Sequence, residues 1–123
     1  MANITFQCTE ELIERYCDIS GDRNPVHLSE EKAAKAGLPA KIAHGMLSMA
    51  IGATILSPYI PQDGFITDYR VKFFAPLFVN DTLMIECSIV NETCSGKQYR
   101  IVGINEREER IFKGTIELST ALT

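Results

Sequence analysis

The sequence lacks the features that mark several large classes of protein. None of its four cysteines (Cys8, Cys17, Cys87 and Cys94) belongs to a CxxC metal or redox pair. The chain begins without a charged-then-apolar signal peptide, and its longest nearly apolar run, residues 46–56, is far short of the roughly 20 residues that span a bilayer. We therefore expect a cytoplasmic protein whose cysteines are free thiols that behave as small hydrophobic side chains.

The charge pattern excludes two kinds of partner. The net charge is −4, and the 12 basic residues are scattered along the chain. A nucleic-acid-binding face would need clustered lysine and arginine, and a membrane-surface helix would need a basic amphipathic stretch. We expect neither nucleic acid nor membrane as a partner.

The length of the chain bounds its architecture. With 123 residues, of which 46% are hydrophobic, residues 1–123 suit a single domain with a modest core. A domain of this size buries roughly two-thirds of the surface that its unfolded chain exposes. Little room is left for a deep pocket within one copy, so we expect a homodimer or a higher homo-oligomer that completes the site.

The first half of the chain is predicted to be mainly helical. After a short strand at residues 4–7, Thr9 and Ser29 each precede two glutamates, the pattern of a helix N-cap followed by acids in the first turn. Gly21 and Gly37 are suited to end these two helices.

A charge-free segment, residues 45–57, predicts a central helix that is buried on nearly all sides, because it has no polar face. The second half alternates apolar and polar residues, the pattern of strands with one wet face. The predicted strands cover about 67–74, 82–89, 97–105 and 112–119. Short connections favour antiparallel pairing. The sequence therefore predicts an α+β fold in which an antiparallel sheet curls around one apolar helix.

Asp22 and His27 are candidates for acid–base chemistry in a predicted loop between the first two helices. An extended chain, at roughly 3.3 Å per residue, would hold them more than 15 Å apart, but the turn predicted at Asn24-Pro25 would bring them together. A carboxylate and an imidazole around one water form a general acid–base device. The alternative is an ordinary turn with a packed or exposed histidine.

Gly45 opens the central helix, where unpaired backbone N–H groups could hold a carbonyl oxygen. The alternative is that Gly45 only relieves crowding at the start of the helix. His44, just before it, is interpreted as a capping or packing residue. Phe73 and Phe74 lie in an aromatic segment, residues 69–78, that is either a core strand or the lining of an acyl channel.

Three segments together resemble a known family. Residues 20–27, SGDRNPVH, are similar to the signature of the MaoC-like, or hydratase 2, family of (R)-specific enoyl-CoA hydratases. The sequence HGML at residues 44–47 fits the second landmark of that family. Residues 73–82, FFAPLFVNDT, resemble the strand and turn that follow its central helix. The similarity is clear from about residue 19 to 82, and extends through the last strands in pattern.

The resemblance implies a hot-dog fold, in which a sheet wraps a long apolar helix, usually as a dimer. It implies that Asp22 and His27 hold the water that is added to C3 of a trans-2-enoyl thioester. The N–H of Gly45 would take the oxyanion role, and Asn24 would order the catalytic loop. No metal and no organic cofactor would be needed, and the alcohol would have the (R) configuration.

The resemblance also suggests residues that bind the substrate, an acyl-CoA or an acyl carrier protein thioester: Asn24, His44, Met46, Phe73 and Phe74. Some family members carry a serine on the central helix where this chain has Ala53. That departure puts the polar support of the catalytic pair, and the substrate preference, in doubt. The chain also lacks the extra N-terminal half of two-domain relatives, which favours short or medium acyl groups.

Three alternatives stay open at this point. The first is a dehydratase acting on 3-hydroxyacyl groups bound to a carrier protein, in fatty acid or polyketide synthesis. The second is a hot-dog protein that binds acyl-CoA without catalysis, although both Asp22 and His27 are present. The third is a hot-dog thioesterase, which is disfavoured because residues 45–57 contain no acid.

Overall fold

The computed structural model describes residues 2–119. One strand, then four helices and a 3₁₀ turn at Ser57–Tyr59, then four more strands follow one another along these residues. The elements are β1 (Ala2–Gln7), α1 (Glu10–Ser20), α2 (Pro25–Leu28), α3 (Glu30–Lys35), α4 (Gly45–Thr54), β2 (Phe65–Phe73), β3 (Thr82–Thr93), β4 (Gly96–Asn105) and β5 (Arg110–Ser119).

The strands form one antiparallel sheet in the order β1-β3-β4-β5-β2. Its inner face is built by the alternation that the sequence predicts. On β3, for example, Leu83, Ile85 and Cys87 are buried, and they face the same side as Ile101 on β4. The predicted antiparallel α+β architecture is confirmed, and β1 and β2 are left as the two edges of the sheet.

The caps predicted for two helices are present. The Thr9 side chain accepts a hydrogen bond from the Leu12 N–H at 3.1 Å, and Ser29 accepts one from the Lys32 N–H at 3.2 Å. Gly21 follows α1 with φ of 79°, a left-handed conformation that glycine adopts at little cost. These contacts stabilise α1 and α3, the helices that precede and follow the segment with Asp22 and His27.

The segment predicted as a loop contains one more helix, so that part of the prediction was wrong. Asn24 caps α2, since its side-chain oxygen accepts a hydrogen bond from the Val26 N–H at 3.2 Å, and Pro25 occupies the first turn. An Asn-Pro pair can open either a turn or a helix, because the asparagine bond and the fixed proline φ suit both. His27 is therefore held on a helix.

Helix α4 is less enclosed than predicted. Leu47, Ser48 and Gly52 are buried, but Met46 is 61% exposed and Ala50, one turn further on, is also exposed. The prediction of burial on nearly all sides was wrong for a single chain, because a single curved sheet covers only one side of a helix. Within residues 2–119, no helix has the length and apolar character needed to cross a bilayer.

Three of the four free cysteines behave as predicted. Cys8, Cys17 and Cys87 are buried in the core, whereas Cys94 is exposed in the turn between β3 and β4. Burial raises the pKa of the Cys8 thiol to about 12 and that of Cys87 to about 11. Both side chains therefore stay protonated at neutral pH and pack as small apolar groups.

A buried carboxylate joins the turn before β3 to the turn before β5. Asp81 is 6% exposed and accepts two hydrogen bonds from the Arg107 guanidinium, each 3.1 Å long, and one from the Phe78 N–H at 3.0 Å. Burial alone would raise the pKa of Asp81, but these hydrogen bonds outweigh it and the net shift is downward. The ionised carboxylate is therefore stabilised by folding.

We expect Arg107→Met to lower the free energy of unfolding at pH 7, because it leaves the buried Asp81 carboxylate without its charged partner. Folding lowers the pKa of Asp81. The stability that its ionised carboxylate contributes is therefore lost as the pH falls through the pKa of the folded state. The difference from wild type, measured by urea denaturation, should therefore shrink toward acidic pH. Arg100→Met, at an exposed arginine on β4, is the control. A pH-independent difference would contradict the explanation.

Candidate active site

His27 is held in one orientation and one tautomer. It lies on α2, is 9% exposed, and its Nδ1 is 2.7 Å from the backbone carbonyl oxygen of Ile42. A carbonyl oxygen can only accept, so Nδ1 carries the hydrogen and donates it. In the neutral imidazole with this tautomer, the other ring nitrogen, Nε2, carries the lone pair that can act as a base.

Asp22 lies in the short connection between α1 and α2. Its N–H donates to the Ser20 hydroxyl oxygen at 3.1 Å, and its carboxylate accepts a hydrogen bond from the Asn24 N–H at 3.2 Å. The residue is exposed. The backbone at Asp22 is thus shaped by short-range polar contacts, and its carboxylate remains open to solvent.

His44 contacts both of these residues. Its Nε2 lies 2.9 Å from the Asp22 carbonyl oxygen, so this nitrogen donates. Its ring stacks on the His27 ring with 3.6 Å between centroids, and the Tyr16 ring meets it edge-on at 4.8 Å. His44 is only 4% exposed. It therefore fixes the Asp22 backbone and the His27 ring relative to each other.

The three side chains form a compact set. A carboxylate oxygen of Asp22, a ring nitrogen of His27 and a ring nitrogen of His44 all lie within 4.8 Å of one another. The convergence of Asp22 and His27 that the turn predicts is thus present. An oxygen and two imidazole nitrogens are also groups that could hold a divalent transition metal. The expectation that the reaction needs no metal stays a prediction.

The His44 ring leaves one nitrogen without a partner. Within the described residues, its buried Nδ1 makes no hydrogen bond. The Cys17 sulfur lies 3.6 Å from the other nitrogen, and burial raises the pKa of that thiol. Cys17 is therefore a protonated packing residue, and the unpartnered Nδ1 remains able to accept a hydrogen bond.

Gly45 presents an open helix N-terminus. No side chain caps α4, and the Gly45 N–H has no acceptor within residues 2–119. A Cβ atom at this position would lie 2.9 Å from the end of the Phe73 ring, which is tighter than side chains tolerate. Glycine thus allows Phe73 to approach the first turn of α4, where the positive end of the helix dipole lies.

A cavity of about 430 Å³ adjoins this N-terminus. It contains three of the predicted substrate-binding residues, and Gly45 also lines it. Its walls are formed by Ala43, His44, Gly45, Ser48, Phe73, Phe74, Ala75, Pro76, Leu77 and Ile111. The lining is mostly apolar with a few polar groups, the composition of a small-molecule site.

Two predicted substrate-binding residues lie outside this lining. Asn24 is engaged in capping α2, and Met46 points away on the exposed side of α4. The prediction gave no role to Ser48, which is 2% exposed and lines the cavity. Its spacing of four residues from His44 could have indicated this, because residues i and i+4 share a helix face. Ala53 is not part of the lining.

Comparison with known proteins places these features in a family context. The family profile described as "MaoC like domain" matches residues 2–110. The 3-hydroxybutyryl-CoA dehydratase of Methylorubrum extorquens is 31% identical over 75 residues, which are 60% of this chain and 48% of that protein. The mitochondrial 3-hydroxyacyl-(acyl-carrier-protein) dehydratase of Arabidopsis thaliana is 30% identical over 76 residues, 62% of this chain and 45% of that protein. The chain thus spans about half the length of these relatives.

The fold of this chain is similar to that of a protein whose structure has been solved. The unliganded R-hydratase of Pseudomonas aeruginosa superposes with a TM-score of 0.88 at 25% identity, covering 99% of this chain and 80% of the other. The predicted hot-dog fold is confirmed by this similarity.

The contacts of His44 predict a local effect of its removal. His44→Phe keeps a ring against His27 and Tyr16 but loses the donor to the Asp22 carbonyl, so we expect faster amide hydrogen exchange at residues 22–24 in an otherwise folded protein. Tyr16→Phe, which keeps its ring, is the matched control. Unchanged exchange in His44→Phe would mean that the hydrogen bond does not hold this segment.

Proposed function

The chain belongs to the family of MaoC-like domains, and on this premise we propose that it adds water to the double bond of trans-2-enoyl-CoA, giving (R)-3-hydroxyacyl-CoA, or catalyses the reverse dehydration. The observation that carries the proposal is that the Asp22 carboxylate and the His27 ring lie close together beside His44. His44 directly precedes Gly45, the uncapped first residue of α4.

Asp22 and His27 would act together on one water. The free Nε2 of His27 and the carboxylate of Asp22 can both accept a hydrogen bond from it. As the water oxygen bonds to C3 of the substrate, one of its protons passes to this pair. The pair then returns a proton to C2, so that the elements of one water are added across the double bond. The reverse order of steps gives dehydration.

Gly45 would stabilise the charge that builds on the thioester oxygen during this addition. Attack at C3 pushes electrons onto the carbonyl, and the unpaired Gly45 N–H at the positive end of α4 suits that charge. Phe73 packs against the same turn and would limit access of bulk water. The acyl chain of the substrate would then lie along the apolar walls of the cavity.

A second candidate function differs from the first only in the carrier of the acyl group. One relative is named for a CoA thioester and another for an acyl-carrier-protein thioester. A dehydratase of 3-hydroxyacyl carrier protein would use the same Asp22, His27 and Gly45. A non-catalytic acyl-CoA-binding protein is disfavoured, because it would have no need for a histidine held with a free Nε2 beside a carboxylate.

The first test is the loss of crotonyl-CoA absorbance with wild type and Asp22→Asn side by side. We expect the wild type to form (R)-3-hydroxybutyryl-CoA and the variant to lose about 100- to 10,000-fold in kcat, the usual share of acid–base catalysis. His27→Ala should lose a similar factor, and the double variant little more, because groups that act as a unit are not additive.

Near-normal turnover by Asp22→Asn would remove its proposed role. Activity that EDTA abolishes and zinc restores would overturn the metal-free mechanism and make Asp22, His27 and His44 a metal site. If the wild type ignores crotonyl-CoA and its longer homologues but dehydrates a 3-hydroxyacyl carrier protein, the second candidate replaces the first.

We also propose that a second copy of the chain covers the exposed side of α4. Met46 and Ala50 lie on that side, and Tyr69 of the adjacent edge strand β2 donates a hydrogen bond to the Met49 carbonyl at 2.8 Å. An apolar helix face beside an unpaired sheet edge is a surface that a protein normally covers. Because Phe73 on the same strand lines the cavity, the second copy would adjoin the site.

Ala50→Glu tests this assembly, since it would bury an unpaired charge in the interface. We expect light scattering to show a dimer or larger for wild type and a monomer with reduced activity for the variant. Ala34→Glu, on the exposed side of α3, is the matched control and should leave both unchanged. A fully active wild-type monomer would contradict the shared-site proposal.

A further inference from the structure

The rim of the cavity carries positive charge around an exposed aromatic ring. Phe74, which is 50% exposed, lines the cavity together with Gly45. The Lys72 Nζ atom lies 5.6 Å from the centre of the Phe74 ring, and the central guanidinium carbon of Arg110 lies 5.7 Å from it. Two cations therefore meet at one ring on the edge of the proposed site.

Among the described residues 2–119, no carboxylate forms an ion pair with these cations. Half of the 12 lysines and arginines lie within 4 Å of a carboxylate, namely Arg23, Lys35, Lys41, Arg70, Lys97 and Arg107. Within residues 2–119, Lys72, Arg110 and Lys113 have no such partner.

The arrangement has a cost for the free protein. Lys72 and Lys113 are opposite each other across β2 and β5, and like charges directly opposite on antiparallel strands are destabilising. The contacts of Lys72 and Arg110 with the Phe74 ring stabilise these two cations but supply no opposite charge. A bound anion would remove the repulsion.

We infer that Lys72 and Arg110, with Lys113 beside them, bind a phosphate of the group that carries the acyl chain. This inference rests on the proposed function. In CoA and in the prosthetic group of a carrier protein alike, a pantetheine arm joins the thioester sulfur to a phosphate. Gly45 and Phe74 line the same cavity, so a thioester whose carbonyl reaches Gly45 can extend its arm past Phe74. Arginine and lysine are the side chains that bind phosphate oxygens best.

The test compares substrates with and without phosphate. Lys72→Gln/Arg110→Gln should lower kcat/KM for crotonyl-CoA by about 10- to 100-fold, mainly through KM, because charged hydrogen bonds to the substrate are lost. Crotonyl-pantetheine has the same acyl group and arm but no phosphate. Its kcat/KM should be unchanged, and the dependence of KM on salt for crotonyl-CoA should weaken.

Arg15→Gln/Lys32→Gln is the matched control, since it makes the same change of charge at two exposed residues of α1 and α3 that have no carboxylate partner within residues 2–119. It should leave both substrates unaffected. Equal losses for crotonyl-CoA and crotonyl-pantetheine in the Lys72/Arg110 variant, or no loss for either, would overturn the phosphate site.

Calorimetric binding of CoA itself separates this inference from the proposed function. If wild type turns over neither substrate, the proposed function fails, yet weaker CoA binding by the Lys72/Arg110 variant than by the control would still support the phosphate site. Equal binding would overturn it. If the variant loses more on a crotonyl carrier protein than on crotonyl-CoA, the phosphate belongs to the carrier protein's prosthetic group; the opposite order assigns it to CoA.

Discussion

The contacts of His44 with Asp22 and His27 are the constraint on which the rest of the candidate site depends. They tie the connection after α1 and the short helix α2 to the start of α4. Helix α4 is in turn fixed against the sheet through its buried face, which includes Leu47 and Gly52. Packing of α4 on the sheet therefore fixes where Asp22 and His27 lie, although neither residue belongs to a strand. The exposed connection with Asp22 is held in place by its contact with the buried His44.

The second constraint is that one curved sheet covers only one side of α4. The covered side builds the core, while Met46 and Ala50 remain exposed on the other. The cavity next to Phe73 lies where α4 and the edge strand β2 meet, so the proposed assembly and the proposed chemistry involve the same region. A small domain can in this way form a substrate site without enclosing it within a single chain.

Some features were predictable because they depend on near neighbours along the chain. The caps at Thr9 and Ser29 involve residues three apart, and the burial pattern of β3 follows from the two-residue period of a strand. The Asn24-Pro25 pair was the exception. The same local contacts open a turn or a helix, so the sequence predicted the approach of Asp22 to His27 but not the helix that carries His27.

The sequence by itself determined the antiparallel α+β fold, the family resemblance, and the residues proposed for acid–base chemistry. Only the tertiary structure decided that His44 joins Asp22 and His27, that Ser48 lines the cavity, and that α4 keeps an exposed apolar side. Such contacts join residues far apart in sequence, as Asp22 and His44 are, through the packing of α4 on the sheet. No local pattern encodes them, because periodicity shows which way a side chain faces but not what it meets there.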